Sequence, residues 1–256
     1  MKRRRLSAAL KQLRLEANLE PKEVAQRLGW DVTKIHRMER NQWTRPNARD
    51  IRDLLELFGV TDERQREALL ALARESSQRG WWADYADVFR SSLPDFESGA
   101  AIIRTYEALL VPGLLQTADY MRAVFHAGAS FDEATIERQV EARLTRQEVL
   151  RRSSPPHLWA VIDEAALRKQ VGGGPVMRAQ IEHIIAASEL ANVAVQVLRD
   201  SAGAHTAMTG GFVILDFAEM DPSIVCIETA TDSLYLEKPE ELHRYTVIYS
   251  HVQALA

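Results

Sequence analysis

The sequence predicts two folded parts, and two patterns carry this prediction. In the first eighty residues, apolar side chains recur at helical spacing, which predicts an all-α bundle of five helices. Beyond residue 157, short β-like runs alternate with helical patterns, which predicts a C-terminal α+β (or α/β) domain with a small sheet flanked by helices. The predicted parts are a bundle at 1–76, an ordered connecting strap at 77–100 and the second domain at 101–256.

Capping and turn residues divide the first part into its five helices. Pro21 suits the first position of the second helix, and Gly29 ends that helix. Asp31 is a good N-cap for the third helix, and Thr61 for the fifth. The pair Trp81-Trp82 would be costly in a solvated linker, so we expect the strap to lie against a domain.

The second part contains helical and strand-like patterns in mixed order. Helical patterns cover 100–109, 116–127, 132–152, 164–170, 175–190 and 242–252. Strand-like runs cover 158–162, 193–198, 211–217, 223–228 and 233–236. This order is typical of a sheet with helices packed on it.

Charge is distributed unevenly along the 256 residues. The chain has 32 Lys and Arg against 36 Asp and Glu, a net charge of −4. Residues 1–52 hold 14 basic and 6 acidic side chains, or +8, which leaves −12 for the remainder. A basic N-terminal fifth indicates a polyanionic partner for that part alone.

Composition excludes several classes of protein. Apolar runs are too short to span a bilayer, and Lys11 and Arg14 interrupt the stretch that a signal peptide would need, so we expect a cytoplasmic protein. The single cysteine, Cys226, excludes a disulfide framework and is expected to be a buried structural thiol. The histidines are scattered without a metal-binding spacing, so we predict neither a metal nor a cofactor.

Residues 21–43 have the layout of a helix-turn-helix: a short helix, a tight turn at Gly29 and a second helix that buries Ile35. Several side chains of the second helix are expected to face outward or to lie at its leading end: Val32, Thr33, Lys34, His36 and Arg37. Threonine can bond a base or a phosphate, and lysine and arginine can read guanine or hold phosphate. His36 either reads a base edge or covers the backbone.

Other basic residues of this part are candidates for contacts with the DNA backbone. Arg40, Arg45 and Arg49 are phosphate candidates, and Arg3, Arg4 and Arg5 are expected to form a flexible arm around DNA. Glu39 is expected to pair with an arginine of the domain. The alternative interpretation is a generic helical bundle whose basic residues form a solvated face.

The stretch from residue 10 to 60, including "KIHRMER", resembles the Xre/Cro-like family of helix-turn-helix regulators. The resemblance implies sequence-specific binding to a double-stranded DNA operator. Glu20-Pro21 stands where the family usually has Ser/Thr-Gln, and neither residue can replace the glutamine amide as a donor to phosphate. Lys22 is the candidate to compensate.

The second part resembles another family through "GWWADY", "YEALLVPGLLQTADYMRA", "VIDEAALRKQVGG" and "GGFVILDF". These motifs are similar to the C-terminal domain of actinobacterial WhiJ-like, or Scr-type antitoxin-like, regulators. The resemblance implies regulation through a small partner protein encoded by a neighbouring gene.

Candidate partner-binding residues lie in three places in the second part. The segment 111–117 is either a turn or a docking surface, and Arg143 and Arg146 belong either to an exposed charged helix or to a groove for an acidic partner. His205 is interpreted as a surface or pocket polar group, with a catalytic base and a metal ligand as alternatives. The candidates are Gly113, Leu114, Leu115, Gln116, Thr117, Arg143, Arg146 and His205.

Two further motifs invite a chemical interpretation and have a simpler structural one. Asp163-Glu164 suits the start of a helix, where acidic groups favour the positive helix terminus. The glycines 172–174 before Pro175 lack the spacing of a phosphate-binding loop and are typical of a turn. Since no nucleophile, base and oxyanion site come together in the pattern, we do not expect an enzyme.

These observations favour a homodimeric DNA-binding transcriptional regulator whose C-terminal domain senses a partner. Dimerisation follows because one short recognition helix reads few base pairs and two half-sites multiply specificity. The main alternative is an antitoxin-like protein that neutralises a small neighbouring protein and regulates its own gene. A third interpretation is an enzyme or a small-ligand sensor.

Overall fold

The computed structural model describes residues 2–43, 46–76, 80–89, 91–128, 132–218, 221–229 and 232–256. The chain divides into two compact units, Met1–Ala83 and Asp84–Ala256, here called the N-terminal and the C-terminal unit. The boundary falls inside the segment 77–100. Within that segment, a short 3₁₀ helix covers Trp81–Tyr85.

The N-terminal unit contains the five predicted helices. They are α1 (Lys2–Glu16), α2 (Pro21–Leu28), α3 (Val32–Glu39), α4 (Ala48–Leu57) and α5 (Glu63–Ser76). Asp31 caps α3 as predicted, because its side chain accepts a hydrogen bond of 2.7 Å from the Thr33 amide. At α5 the prediction is off by one residue, since Asp62 rather than Thr61 accepts from the Arg64 amide at 2.9 Å.

The core of this unit is a single cluster to which all five helices contribute. Leu6, Val24, Ile35, Ile51 and Leu70 are among its members, and each is at most 8% exposed. Helix α1 packs against α3 and α5, α2 against α3, and α4 against α5. Burial of these aliphatic side chains fixes α3 on the bundle and determines which of its sides remains in solvent.

The C-terminal unit combines six helices and six strands among its described residues. The helices are α6 (Leu93–Gly99), α7 (Ala118–Gly128), α8 (Glu133–Gln147), α9 (Glu164–Arg168), α10 (Gly174–Ser188) and α11 (Pro239–Leu255). The strands are β1 (Ala100–Glu107), β2 (His157–Asp163), β3 (Val193–Leu198), β4 (Phe212–Phe217), β5 (Ile224–Glu228) and β6 (Ser233–Leu236). A short 3₁₀ helix at Gly113–Leu115 precedes α7.

The strands form one mixed sheet in the order β3-β2-β1-β4-β5-β6. Strands β1, β2 and β3 run parallel, whereas β4, β5 and β6 are antiparallel to their neighbours. The predicted fold class, a helical bundle followed by an α+β domain with a small flanked sheet, is therefore confirmed.

The helix predicted at 100–109 is wrong, because these residues form the central strand β1. Ile102, Ile103, Thr105 and Tyr106 are β-branched or aromatic and suit a pleated sheet better than a helix. Pairing with β2 on one side and β4 on the other satisfies the backbone of this strand. The predicted long helix at 132–152 is also shorter, since α8 ends at Gln147 and a 3₁₀ turn follows.

Successive side chains of β1 point to opposite faces of the sheet. Tyr106 lies in the cluster that contains Tyr249 and Val252 of α11, so α11 covers that face. Thr105 and Glu107 point to the opposite face and line a cavity together with residues of α8. None of the described helices combines the length and the apolar character that a membrane span requires.

Candidate functional site

The turn between α2 and α3 positions the candidate reading helix. Gly29 adopts φ +66°, a left-handed conformation that suits glycine, and the Trp30 amide donates to the Ala25 carbonyl at 2.8 Å. Ala25 is only 4% exposed, and its small side chain lets the two helices approach closely. Sequence, turn geometry and packing therefore agree on a helix-turn-helix.

One side of α3 is buried and the other is exposed. Ile35 and Met38 are each 2% exposed and belong to the core. Thr33, Arg37 and Arg40 are exposed and follow each other at intervals of four and three residues, which places them on one face of the helix. His36 is exposed beside this face. We call the four residues Thr33, His36, Arg37 and Arg40 the α3 face.

A buried ion pair supports the C-terminal end of α3. Arg14 donates to the two carboxylate oxygens of Glu39 at 2.5 and 3.0 Å, and also to the Leu19 carbonyl at 2.6 Å. The hydrogen bond to Glu39 raises the pKa of the Arg14 guanidinium above its usual value. The prediction that Glu39 pairs with an arginine of the domain is confirmed, and this bidentate pair fixes α3 to α1.

Two residues of the predicted reading set are held by the unit itself. The Lys34 ammonium lies 2.8 Å from an Asp50 carboxylate oxygen and 3.6 Å from the centroid of the Trp30 ring. Val32 is half-buried and packs against the core. Lys34 therefore has to leave Asp50 before it can reach a base, which the helical spacing alone did not indicate.

The predicted flexible arm is wrong in its conformation, because Arg3, Arg4 and Arg5 form the first turn of α1. Arg3 donates to the Asn41 side chain at 2.9 Å, so this residue is tied to the segment that follows α3. Helix α1 begins at Lys2 and therefore includes the basic run. Arg45 lies outside the described residues.

At the start of α2, Lys22 and Glu23 are exposed. The Glu23 carboxylate accepts from the Glu20 amide at 2.8 Å, and Pro21 occupies the first turn, where a missing amide hydrogen costs nothing. These contacts stabilise the helix start without a glutamine. The contact of Lys22 with phosphate stays a prediction, and the exposure of this side chain is compatible with it.

The segment 111–117 of the C-terminal unit turns inward. Leu115 is 0% and Gln116 3% exposed, and the Gln116 amide donates to the Val111 carbonyl at 2.8 Å. Gln180 of α10 accepts from the Thr117 amide and donates to the Leu115 carbonyl, both at 2.7 Å. The segment is the predicted turn, and its leucines and glutamine are packed inside rather than displayed on a surface.

The interpretation of Arg143 and Arg146 as part of an exposed charged helix is wrong. Arg146 forms a bidentate pair with Glu97 at 2.6 and 2.7 Å, and the side chains are 12% and 2% exposed. Burial disfavours the charge of Arg146, but the Glu97 carboxylate outweighs it and raises the pKa of the guanidinium. Gln147 donates to the carbonyls of Gly113 and Gln116. This side of α8 faces the interior because α6 supplies an acidic partner.

Arg143 lies one turn earlier on the same helix and has a different environment. Its guanidinium is 3.4 Å from the Gln116 side-chain oxygen and 4.7 Å from the centroid of the Phe125 ring. Burial and the neighbouring charge of Arg146 lower its pKa to about 10. Arg143 is thus a half-buried cation whose direct contacts are a neutral amide and an aromatic ring, with the charge of Glu228 farther away.

Both arginines line a cavity of about 290 Å³ inside the C-terminal unit. Glu107 of β1 also lines it, and burial together with the nearby Glu228 raises the pKa of Glu107 to about 7. Ile103, Leu114, Val213 and other apolar side chains form much of the remaining wall. The sequence analysis named Gly113, Leu114, Gln116, Arg143 and Arg146 of this lining. It missed Glu107 because a helix was expected where β1 lies, and Glu97 because that residue was assigned to the connecting strap.

His205 lies on the other face of the sheet. It is largely buried, its Nε2 is 3.5 Å from the Tyr106 hydroxyl, and that hydroxyl donates to Asp163 at 3.1 Å. Asp163 also caps α9 by accepting from the Ala165 amide at 2.9 Å, as predicted. The described residues contain no group of three His, Cys, Asp or Glu side chains that could hold a metal ion.

Cys226 is 1% exposed, and burial raises the pKa of its thiol to about 12, so the prediction of a buried thiol is confirmed. Its side chain belongs to β5 and lines the same cavity as Glu107. A thiol with so high a pKa remains protonated at neutral pH and is a poor nucleophile.

Comparison with known families agrees with this division of the chain. A family model described as a helix-turn-helix domain matches residues 5–69. A second model, described as a domain of unknown function (DUF5753), matches residues 90–256. No match to a curated protein or to a solved structure was found.

The helix-turn-helix geometry, the exposed α3 face and the first match together define a helix-turn-helix protein, a class that indicates a DNA-binding regulator. The second match covers more than half of the chain. The chain therefore belongs to the DUF5753 family.

Proposed function

We propose that the chain is a sequence-specific transcriptional regulator that reads an operator in the major groove of DNA through the α3 face. The observation that carries this proposal is the exposure of Thr33, Arg37 and Arg40 on one face of a helix whose opposite face is fixed in the core. Eight residues make a rod of roughly 12 Å, which fits a groove about 12 Å wide.

The side chains of this surface take different roles in the proposal. Arg37 donates to the O6 and N7 atoms of guanine, and Thr33 and His36 reach neighbouring base edges. Arg40 and Lys22 bind phosphate and set the register of the helix on the duplex. Arg49, exposed at the start of α4, is a further phosphate contact.

The regulator is proposed to act in the cytoplasm as a homodimer on a palindromic or repeated operator. One short helix reads only a few base pairs, and a second half-site about 34 Å away, one helical turn of DNA, multiplies specificity. The basic balance of residues 1–52 supplies the attraction to phosphate that each half-site needs.

The C-terminal unit is proposed to sense a small partner protein encoded by a neighbouring gene, without a catalytic step. The resemblance of its motifs to WhiJ-like and Scr-type proteins supports this part of the proposal. Ile181 and Ile185, one turn apart on α10, are 39% and 57% exposed, and such apolar side chains favour contact with another protein.

DNA binding is tested by selecting ligands of the full chain from a random duplex pool and titrating salt on the selected duplex. We expect one enriched motif with two half-sites, and binding that weakens steeply with salt, by about −0.9 in log–log slope for each neutralised phosphate. Absence of an enriched motif, or binding that ignores salt, would contradict the proposal.

Partner sensing is tested by co-purifying the tagged full chain with the product of the adjacent small gene, both shown to be folded by circular dichroism. The expected result is a complex that changes the affinity for the selected duplex. Lack of a complex overturns this part of the proposal alone. A complex that rescues cells from the small protein, with no effect on DNA affinity, points instead to the antitoxin-like function.

A further inference from the structure

The cavity of the C-terminal unit lies between one face of the sheet and the inward side of α8. Strand β1 contributes Thr105 and Glu107 to its wall, and α8 contributes Arg143 and Arg146. The loop after β1 supplies Leu109 and Leu110, which are 63% and 37% exposed. A volume of about 290 Å³ is near the lower end of the range for small-molecule sites.

The two arginines of the cavity differ in what they bind. Arg146 is neutralised by Glu97 through two short hydrogen bonds. Among the residues that the structure describes, no carboxylate oxygen lies within 4.0 Å of the Arg143 guanidinium, whose closest polar contact is Gln116 at 3.4 Å. Arg143 is half-buried, and the Glu228 carboxylate attracts its charge only from beyond 4.0 Å, so an anion that enters the cavity can make the direct hydrogen bonds that the protein does not supply.

No Lys or Arg nitrogen among the described residues forms an ion pair within 4.0 Å of the Glu107 carboxyl group, although the more distant charge of Arg146 and Thr105 partly oppose the rise in its pKa. Its oxygen atoms lie next to Gly211 at the start of β4, where an added Cβ would come within 3.0 Å of Oε2. Because burial favours the protonated form near neutral pH, this group can donate a hydrogen bond to a ligand oxygen.

The one direct cationic site of the wall favours a ligand with a single negative charge over one with several. Arg143 is the one wall cation left without a carboxylate among the described residues, whereas Glu228 adds a negative charge at the same cavity. A phosphate dianion would be repelled by Glu228 and Glu107, and an amine would be repelled by Arg143. The apolar wall, which includes Leu114 and Val213, suits a hydrocarbon body.

We propose that this cavity binds a small amphipathic monocarboxylate. The ligand carboxylate accepts hydrogen bonds from Arg143, and its apolar body packs against Leu114 and Val213. Binding is a property of the C-terminal unit and does not depend on the proposed reading of DNA. The site gives the chain a place for a metabolite-sized effector in addition to any protein partner.

The test uses isothermal titration calorimetry of the full chain with octanoate, octanamide and octylamine at about pH 6, where Glu107 is mostly protonated. Octanoate is expected to bind with one site per chain, and the neutral amide and the amine roughly ten-fold more weakly or worse. Equal binding of octanoate and octanamide, or no octanoate binding at millimolar concentration, overturns the proposal.

Matched variants on α8 locate the site. Arg143→Gln is expected to weaken octanoate binding roughly ten-fold or more, while Arg138→Gln, on the same helix and paired with Asp87 in solvent, leaves it unchanged. Circular dichroism establishes that each variant is folded. An Arg143→Gln variant that is folded and binds octanoate like the parent chain contradicts the assignment.

Glu107→Gln provides an independent test if Arg143→Gln does not fold. At about pH 8 the parent carboxyl is ionised and repels the ligand, so removing its charge is expected to strengthen octanoate binding several-fold. Near pH 5, where the parent carboxyl is protonated, the two chains are expected to bind octanoate alike. Identical affinities at both pH values would place octanoate elsewhere and overturn the proposal.

Discussion

Both units contain a buried arginine–glutamate pair, but they differ in the exposure of a second arginine. Each buries one bidentate arginine–glutamate pair, Arg14–Glu39 in the N-terminal unit and Arg146–Glu97 in the C-terminal unit. In each unit, the helix that contributes to this pair carries another arginine. Arg37 on α3 is exposed, whereas Arg143 on α8 is half-buried.

This difference determines which anion each unit can attract. Arg37 in solvent retains its hydration until it meets the extended charge of a polyanion, and the cost of exposing it is small. Arg143 is half-buried and lines the cavity, so a small anion can approach it more closely than an extended polyanion. The position of an arginine relative to the core thus separates a macromolecular site from a small-molecule site.

The largest expected effect comes from breaking the buried pair of the C-terminal unit. Arg146→Ala leaves Glu97 uncompensated in the interior and should lower the free energy of unfolding by about 3–5 kcal/mol. The control is Arg122→Ala, which removes an exposed partner of Glu137 and should cost about 1 kcal/mol or less. Urea denaturation of both variants measures the difference, and equal costs would contradict the structural role of Arg146.

A smaller, pH-dependent effect is expected from Glu107→Gln. The folded carboxyl has a pKa of about 7 and the unfolded one 4.5, so the folded state retains the proton between these values. The free energy of unfolding of the parent chain therefore falls as pH rises from 4.5 to about 7. The variant loses this dependence and should be more stable by roughly 1–3 kcal/mol at about pH 8.

The measurement is the difference in unfolding free energy between parent and Glu107→Gln across this pH range, in which the titration of unchanged groups largely cancels. Near pH 4 both side chains are neutral and the difference should approach zero. A difference that grows toward low pH would have the wrong sign and would refute the shifted pKa.

The smallest effect is expected at Lys34, whose ion pair with Asp50 is partly exposed. Lys34→Ala should lower the free energy of unfolding by about 1 kcal/mol or less. Because the ammonium is already engaged, its loss should weaken operator binding less than the loss of Arg37 does. Affinities from fluorescence anisotropy test this order, and a larger effect at Lys34 would show that this side chain leaves Asp50 to contact DNA.

The N-terminal unit could be predicted from sequence almost completely because its signals are local. The caps, the left-handed glycine at 29 and the spacing of Ile35 and Met38 act within one or two helical turns. Side-chain pairing across helices was harder to foresee. The Lys34–Asp50 contact joins α3 to α4, and only the packed bundle brings them together.

The cavity of the C-terminal unit could not be predicted, because its residues meet only through the sheet. Glu107 sits at the end of β1, a strand buried between two neighbours and mistaken for a helix. From the sequence alone, Arg143 and Arg146 are expected to face solvent on a charged helix. Only the fold shows that Glu97 of α6 pairs with Arg146. Non-local pairing decides both features, and helical periodicity carries no information about it.

Reading of DNA by the α3 face is tested most directly by comparing Arg37→Ala with Arg64→Ala. Arg64 is equally exposed but lies on α5, which packs against α1 and α4. On the selected operator, Arg37→Ala should lose about 1–3 kcal/mol of binding free energy, and much less on random DNA. Arg64→Ala should bind both like the parent chain, whereas equal losses for the two variants would contradict the claim.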